Sequence, residues 1–279
     1  MEAVISEPAL YNDAKAGIIY RKWECRSPKA VFLLVHGLGG HSGRWEFLAD
    51  FFLHYERSSY AIELKGFGET KDLRGHIDSF DTYLKDIVSL HEIIKRENSG
   101  AKIFLLGESM GALISFLTAA KNPNLFNGLI CISPAFKSRL KFGFLGYLKI
   151  FTLLIINPKK RVSVPFNSMM CTRDVKYQKL MDNDSREYRL ATPRLLLNIA
   201  LAGRQATAIK DNIRTPVLFL VAGEYDRLID PAAAQNIFGG LQASGKEMIR
   251  YPQMCHALSI DLDKEKVFGD ILKWVEKRI

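Results

Sequence analysis

Seven short apolar runs, at residues 18–23, 31–35, 60–64, 103–106, 129–132, 217–221 and 247–251, alternate with helical patterns at 44–54, 79–97, 109–121, 231–238 and 264–279. Parallel strands cannot be joined by tight turns. Each needs a crossover of a dozen or more residues, usually a helix, so the alternation restricts the chain to a mostly parallel sheet covered by helices. With 279 residues, one α/β domain of this kind can bury a substantial core. The pattern after residue 81 is well marked, with Leu84, Ile87, Val88, Ile93 and Ile94 close to the i, i+3, i+4 spacing of one buried helix face.

The alternation stops at Ser133-Pro134 and resumes at Thr215-Pro216. Both flanks are strand ends, so residues 135–210 are expected to form a helical cap inserted into one core made of residues 1–134 and 211–279. One cap helix is expected over 139–156. A second opens at Thr192-Pro193, an N-cap followed by proline at the first helical position, and runs to about 209. No strand is expected between them.

The formal charge of +9 is concentrated in the same segment: residues 135–210 hold 15 Lys/Arg against 4 Asp/Glu, and the rest of the chain 24 against 26. So local an excess does not suit a groove across the whole protein, and nucleic acid is not an expected partner. It fits contact with an anionic membrane surface, and equally a well-solvated lid. Residues 142–156 are apolar apart from Lys149 and Thr152, and are flanked by Lys137, Arg139 and Lys141 before and Lys159, Lys160 and Arg161 after. Such a helix is shorter than the ~20 residues of a membrane span; it suits lying in a lipid interface or closing over an acyl pocket. The opening MEAVISEPAL lacks the basic-then-apolar order of a secretory leader. Cys25, Cys131, Cys171 and Cys255 show no paired or zinc spacing. Reduced thiols in a cytoplasmic protein, peripheral to a membrane at most, are the expectation.

Chemistry is carried by Gly107-Glu108-Ser109-Met110-Gly111, which follows the run 103–106 and opens the helical pattern 109–121. Strand before and helix after are the context of a G-x-S-x-G nucleophile elbow, whose turn is so sharp that small residues must flank the serine. After the run 31–35 comes His36-Gly37-Leu38-Gly39-Gly40. A glycine-rich turn there can offer the Leu38 N–H, and the elbow the Met110 N–H, as the two donors that an acyl-transfer oxyanion requires. The turn is no dinucleotide loop, because G-x-G-x-x-G would need glycine where Ser42 stands. A serine hydroxyl needs a base, and the base needs an acid to orient it. His256 is the sole histidine C-terminal to Ser109, and Asp226 lies just past the run 217–221, with Glu224 and Asp230 as alternatives. His41, His54, His76 and His91 are expected on loops or helix surfaces, and no metal or cofactor is expected.

These segments resemble the monoacylglycerol lipase and lysophospholipase branch of the α/β-hydrolases. The likeness rests on residues 35–45, on the turn Lys65-Gly66-Phe67-Gly68-Glu69-Thr70, on Ser133-Pro134, and on the spacing of 216–226 and His256. It implies the α/β-hydrolase fold, an acyl-enzyme mechanism on lipid-like monoesters and a cap that shapes the acyl channel. Two positions depart from it: Glu108, where animal and fungal members commonly carry histidine, and Glu63, where aspartate is usual. A short-chain carboxylesterase, a serine peptidase or amidase, and a ligand-binding relative without turnover are the competing readings.

Overall fold

Strands form where apolar side chains can be buried on both faces of a sheet. The computed structural model describes residues 9–279; residues 1–8, on which most of the leader expectation rests, lie outside the described residues. In chain order the strands are β1 (Ala9–Asp13), β2 (Ile18–Trp23), β3 (Ala30–Val35), β4 (Arg57–Glu63), β5 (Lys102–Glu108), β6 (Gly128–Ile132), β7 (Val162–Ser163), β8 (Leu190–Ala191), β9 (Val217–Ala222) and β10 (Glu247–Tyr251). Eight of them make one sheet in the order β1-β2-β4-β3-β5-β6-β9-β10. The β1–β2 and β2–β4 pairs are antiparallel, and every pair from β4–β3 to β9–β10 is parallel.

The helices are α1 (Glu46–Leu53), α2 (Asp81–Glu97), α3 (Met110–Lys121), α4 (Gly143–Ile156), α5 (Ser168–Cys171), α6 (Val175–Asn183), α7 (Pro193–Ile209), α8 (Pro231–Gly240) and α9 (Lys264–Glu276). Successive strand residues point to opposite faces, so each central strand feeds two cores. Val31, Leu33 and Val35 of β3 pack with α2 and α3, whereas Phe32 and Leu34 pack with α1 and α9. Phe219 and Leu218 of β9 divide in the same way. The central parallel strands β3, β5, β6 and β9 therefore read as continuous apolar runs.

Between β6 and β9 the chain adds no strand to this sheet. That segment differs from expectation in three respects. Its first helix begins at Gly143 rather than Arg139, because residues 137–139 run extended along the loop after β9: Ser138 bridges Ile229, and the Arg139 N–H donates to the Leu228 carbonyl at 2.9 Å. Gly143, at φ +67°, then turns the chain into the helix. Two further helices, α5 and α6, appear, and β7 pairs antiparallel with β8. The helix opening at Thr192 is as expected: the Thr192 side chain accepts from the Leu195 N–H at 3.2 Å, with proline in the first turn. The segment docks through Leu195, Ala202 and Ala206 of α7 on the α3 side of the sheet, and through Cys171 and Met181 against Leu228, Ile229, Ala257 and Ile260. Among the described residues, no helix is long and apolar enough to cross a membrane.

Candidate active site

β5 ends at Glu108 and α3 begins at Met110, which leaves Ser109 alone to reverse the chain, at φ +58° and ψ −121°. A non-glycine residue in that region is strained and must be held by its surroundings. The flanking glycines explain how. A Cβ on Gly111 would lie 2.0 Å from the Val35 carbonyl oxygen, and one on Gly107 would lie 2.4 Å from the Gly111 oxygen. Only glycine lets α3 start this close to the end of β3.

The turn 36–40 follows β3, next to β5 in the sheet. A Cβ on Gly37 would meet the Ser109 Cβ at 3.1 Å, so the turn lies directly against the elbow. The buried His36 ring fixes it from within. Its Nδ1 hydrogen-bonds the Gly37 carbonyl at 2.9 Å, and its Nε2 accepts from the Leu64 N–H at 3.1 Å. Burial drives this histidine down to a pKa of about 3, which keeps it neutral. Among the described residues, neither the Leu38 nor the Met110 N–H donates to a protein acceptor. Met110 is the first residue of α3, where N–H groups have no intrahelical partner.

Asp226 lies in the loop after β9 and His256 beyond β10, both buried. His256 Nδ1 lies 2.8 Å from Asp226 Oδ2, while Asp226 Oδ1 accepts the N–H groups of Leu228 and Ile229 at 2.9 and 3.0 Å. Burial pushes the Asp226 carboxyl up, but His256 and these donors outweigh it and hold it below the ordinary value. Burial pushes His256 down, yet the Asp226 charge and hydrogen bond, with help from Glu108, leave it above 6.5. The alternative acids are placed elsewhere: Glu224 is exposed, and Asp230 caps α8 and pairs with Lys137 at 3.0 Å.

Ser109, His256, Leu38 and Met110 line one small cavity of about 90 Å³, together with Glu108 and Arg44. Leu38, Ala135, Ser138, Leu140 and Ile199 are shared with a larger cavity of about 810 Å³, which runs under α4 and α7 past Phe142, Ile150, Leu154 and Leu196. Arg44 was not singled out by the sequence. It makes a two-pronged pair with Glu187, 143 residues away, and a pairing at that separation leaves no local signal. Glu63 is buried and accepts from the Ser42 N–H and hydroxyl, bracing the start of the 3₁₀ turn Ser42–Trp45 that carries Arg44.

The expectation of surface histidines is corrected at three of four positions. Only His54 is exposed. His41 is enclosed by Asp184 at 3.2 Å and Glu187 at 3.7 Å, His76 is bonded to Thr192 Oγ1 at 3.0 Å, and His91 stacks edge-on against Phe126. Each was hidden because its cover comes from a distant segment. Among the described residues, no three His, Cys, Asp or Glu side chains gather as a metal site, and the four cysteines are unpaired.

The family model described as serine aminopeptidase, S33, matches residues 26–263. The chain belongs to this α/β-hydrolase family. The expected fold class is thereby borne out, and the chain is a serine hydrolase by family. It is 28% identical to the monoglyceride lipase of Homo sapiens over 279 residues, covering 97% of this chain and 90% of that one. It is 28% identical to the phospholipase YtpA of Bacillus subtilis over 255 residues, covering 88% and 95%. The crystal structure of Paleococcus ferrophilus monoacylglycerol lipase superposes with a TM-score of 0.83 at 25% identity, covering 97% of this chain and all of that one.

Proposed function

We propose that this member of the family hydrolyses lipid-like carboxylic monoesters, of the monoacylglycerol or lysophospholipid type, through an acyl-enzyme on Ser109. His256 takes the Ser109 proton as the hydroxyl attacks the ester carbonyl. Asp226 holds the ring in the tautomer that presents Nε2 and stabilises the imidazolium that forms. The Leu38 and Met110 N–H groups receive the oxyanion. His256 then protonates the leaving alcohol, and the same ring activates water for deacylation. No cofactor or metal takes part.

The single observation that carries the reading is the apolar cavity of about 810 Å³ that shares Leu38, Ala135, Ser138, Leu140 and Ile199 with the small cavity at Ser109 and His256. A long hydrocarbon tail fits that lining, with burial contributing about 0.8 kcal/mol per CH₂. Residues 135–210 act in this reading as the cap over the tail. The relatives' names, a monoglyceride lipase and a phospholipase, point the same way. A chain-length series of monoacylglycerols, lysophospholipids and p-nitrophenyl esters tests it. Turnover should rise with acyl length to a plateau, and a preference for acetyl or butyryl esters would replace it with a short-chain esterase. The family description favours a second reading, an aminopeptidase, for which turnover of aminoacyl amides above that of fatty esters would decide.

The cap helix α4 serves both readings of its sequence. Ile150 and Leu154 line the cavity, while Phe144, Leu145, Phe151 and Ile155 point outward, with Phe144 82% exposed. We infer that this outer face, with Lys141, Lys149, Lys159 and Lys160 around it, rests on anionic lipid surfaces from which the substrate is drawn.

A further inference from the structure

Glu108 is an acid of the small cavity that the proposed reaction does not use. Phe104, Leu106 and Glu108 alternate onto one face of β5, and the first two are packed among α1 and α9. Glu108 stands one step beyond that core, at the C-terminal edge of the sheet, where it faces the turn that follows His256. The Ser259 N–H donates to Glu108 Oε1 at 3.1 Å, and the Ser259 hydroxyl to Oε2 at 2.8 Å. Among the described residues, no Lys or Arg pairs with this buried carboxylate within 4 Å. The Arg44 guanidinium on the same cavity is engaged by Glu187.

A buried anion without a permanent cationic partner is costly unless a cation appears beside it when it matters. One does so here. In the proposed reaction His256 becomes an imidazolium in every transition state.

We propose that Glu108 is a positioning residue: through Ser259 it ties the His256 turn to the serine elbow, and its carboxylate stabilises the imidazolium formed during turnover. The proposal rests on the assignment of Ser109 and His256 made above. A charge fixed in place before reaction stabilises a charge that develops only in the transition state, and so acts on kcat more than on KM. The charged groups facing His256 are Asp226 and Glu108, which raise its pKa, and Arg44, which lowers it. Burial leaves the Glu108 carboxyl above its ordinary value, although Ser259, His256 and Arg44 oppose that rise.

The test is the pH profile of kcat/KM on a p-nitrophenyl ester for E108Q, E108D and S259A, with S109A and H256A in parallel. The base must be neutral to act, so kcat/KM rises with pH through the His256 pKa. Removal of an anion that raises this pKa should move the rise to lower pH. E108Q keeps an acceptor for the Ser259 N–H but loses the charge. It should lower kcat roughly tenfold with KM little changed, and move the acid limb down by about half a unit or more. E108D should keep the limb near its original position. S259A should lower kcat with a smaller displacement of the limb. Should E108Q not fold, E108H, which also removes the anion, is compared in the same way. An unshifted limb in the folded charge-removing variant overturns the proposal, even if kcat falls. If S109A or H256A retains turnover, it is the proposed function that fails instead.

Discussion

Phe32 in β3 and Phe144 in α4 are the same side chain in opposite circumstances, the first 0% and the second 82% exposed. β3 is a run of six apolar residues, all enclosed between two helical layers. α4 is comparably apolar, yet only Leu153 is buried, and Phe144, Leu145, Leu148, Phe151, Ile155 and Ile156 face outward. Every apolar Å² left in water forgoes about 25 cal/mol. In the sheet the apolar surface has been converted into a rigid edge on which the elbow, the 36–40 turn, Asp226 and His256 are mounted. On α4 it stays exposed to solvent, and in the proposed function it meets a lipid surface outside the chain. Stability and the proposed surface contact thus draw on the same chemistry in different places.

The comparison yields predictions of decreasing size. Ser109→Ala, His256→Ala and Asp226→Asn should each lower kcat roughly 10³-fold or more on soluble and vesicle-bound esters alike, with the melting temperature nearly unchanged. A variant that loses activity only on vesicles would put the sheet edge and α4 in each other's roles. Phe32→Ala should cost about 3–5 kcal/mol in denaturant unfolding, whereas Phe144→Ser should stay within about 0.5 kcal/mol; similar losses at the two positions would mean that α4 is structural. Lys159→Glu with Lys160→Glu should weaken co-sedimentation with anionic vesicles by roughly tenfold or more at low salt, and less as salt rises, while sparing hydrolysis of a small ester. Equal binding before and after would leave the basic cluster as solvated surface. Thr192→Ala should cost about 1 kcal/mol through loss of the α7 N-cap, measured in the same unfolding assay.

What could be read from the sequence follows the same division. The central parallel strands β3, β5, β6 and β9 were legible because burial on both faces makes them unbroken apolar runs, and α2 because one face repeats at helical spacing. β1 was not, since an edge strand with exposed residues has no such run. α6 was missed because Lys176, Lys179 and Asp182 dilute its apolar stripe, and its Asp174 cap is recognisable only once the turn before it is known. At the site, the segments bearing Ser109, Leu38, Asp226 and His256 announced themselves as turns after strands. The side chains that fill the space between them did not. Arg44 with Glu187, Glu108 with Ser259 and His41 with Asp184 join segments that only the folded chain brings together.

The central claim is that acyl transfer passes through Ser109, and intact-protein mass spectrometry tests it most directly. The protein is mixed with a long-chain p-nitrophenyl ester, quenched in acid within the first turnovers, and digested for peptide mapping. The account predicts a mass increase of one acyl group, carried on the peptide containing Ser109 and absent from Ser109→Ala. Rapid hydrolysis in His256→Ala, where acylation and deacylation should both stall, or an acyl group mapped to another residue, would contradict it.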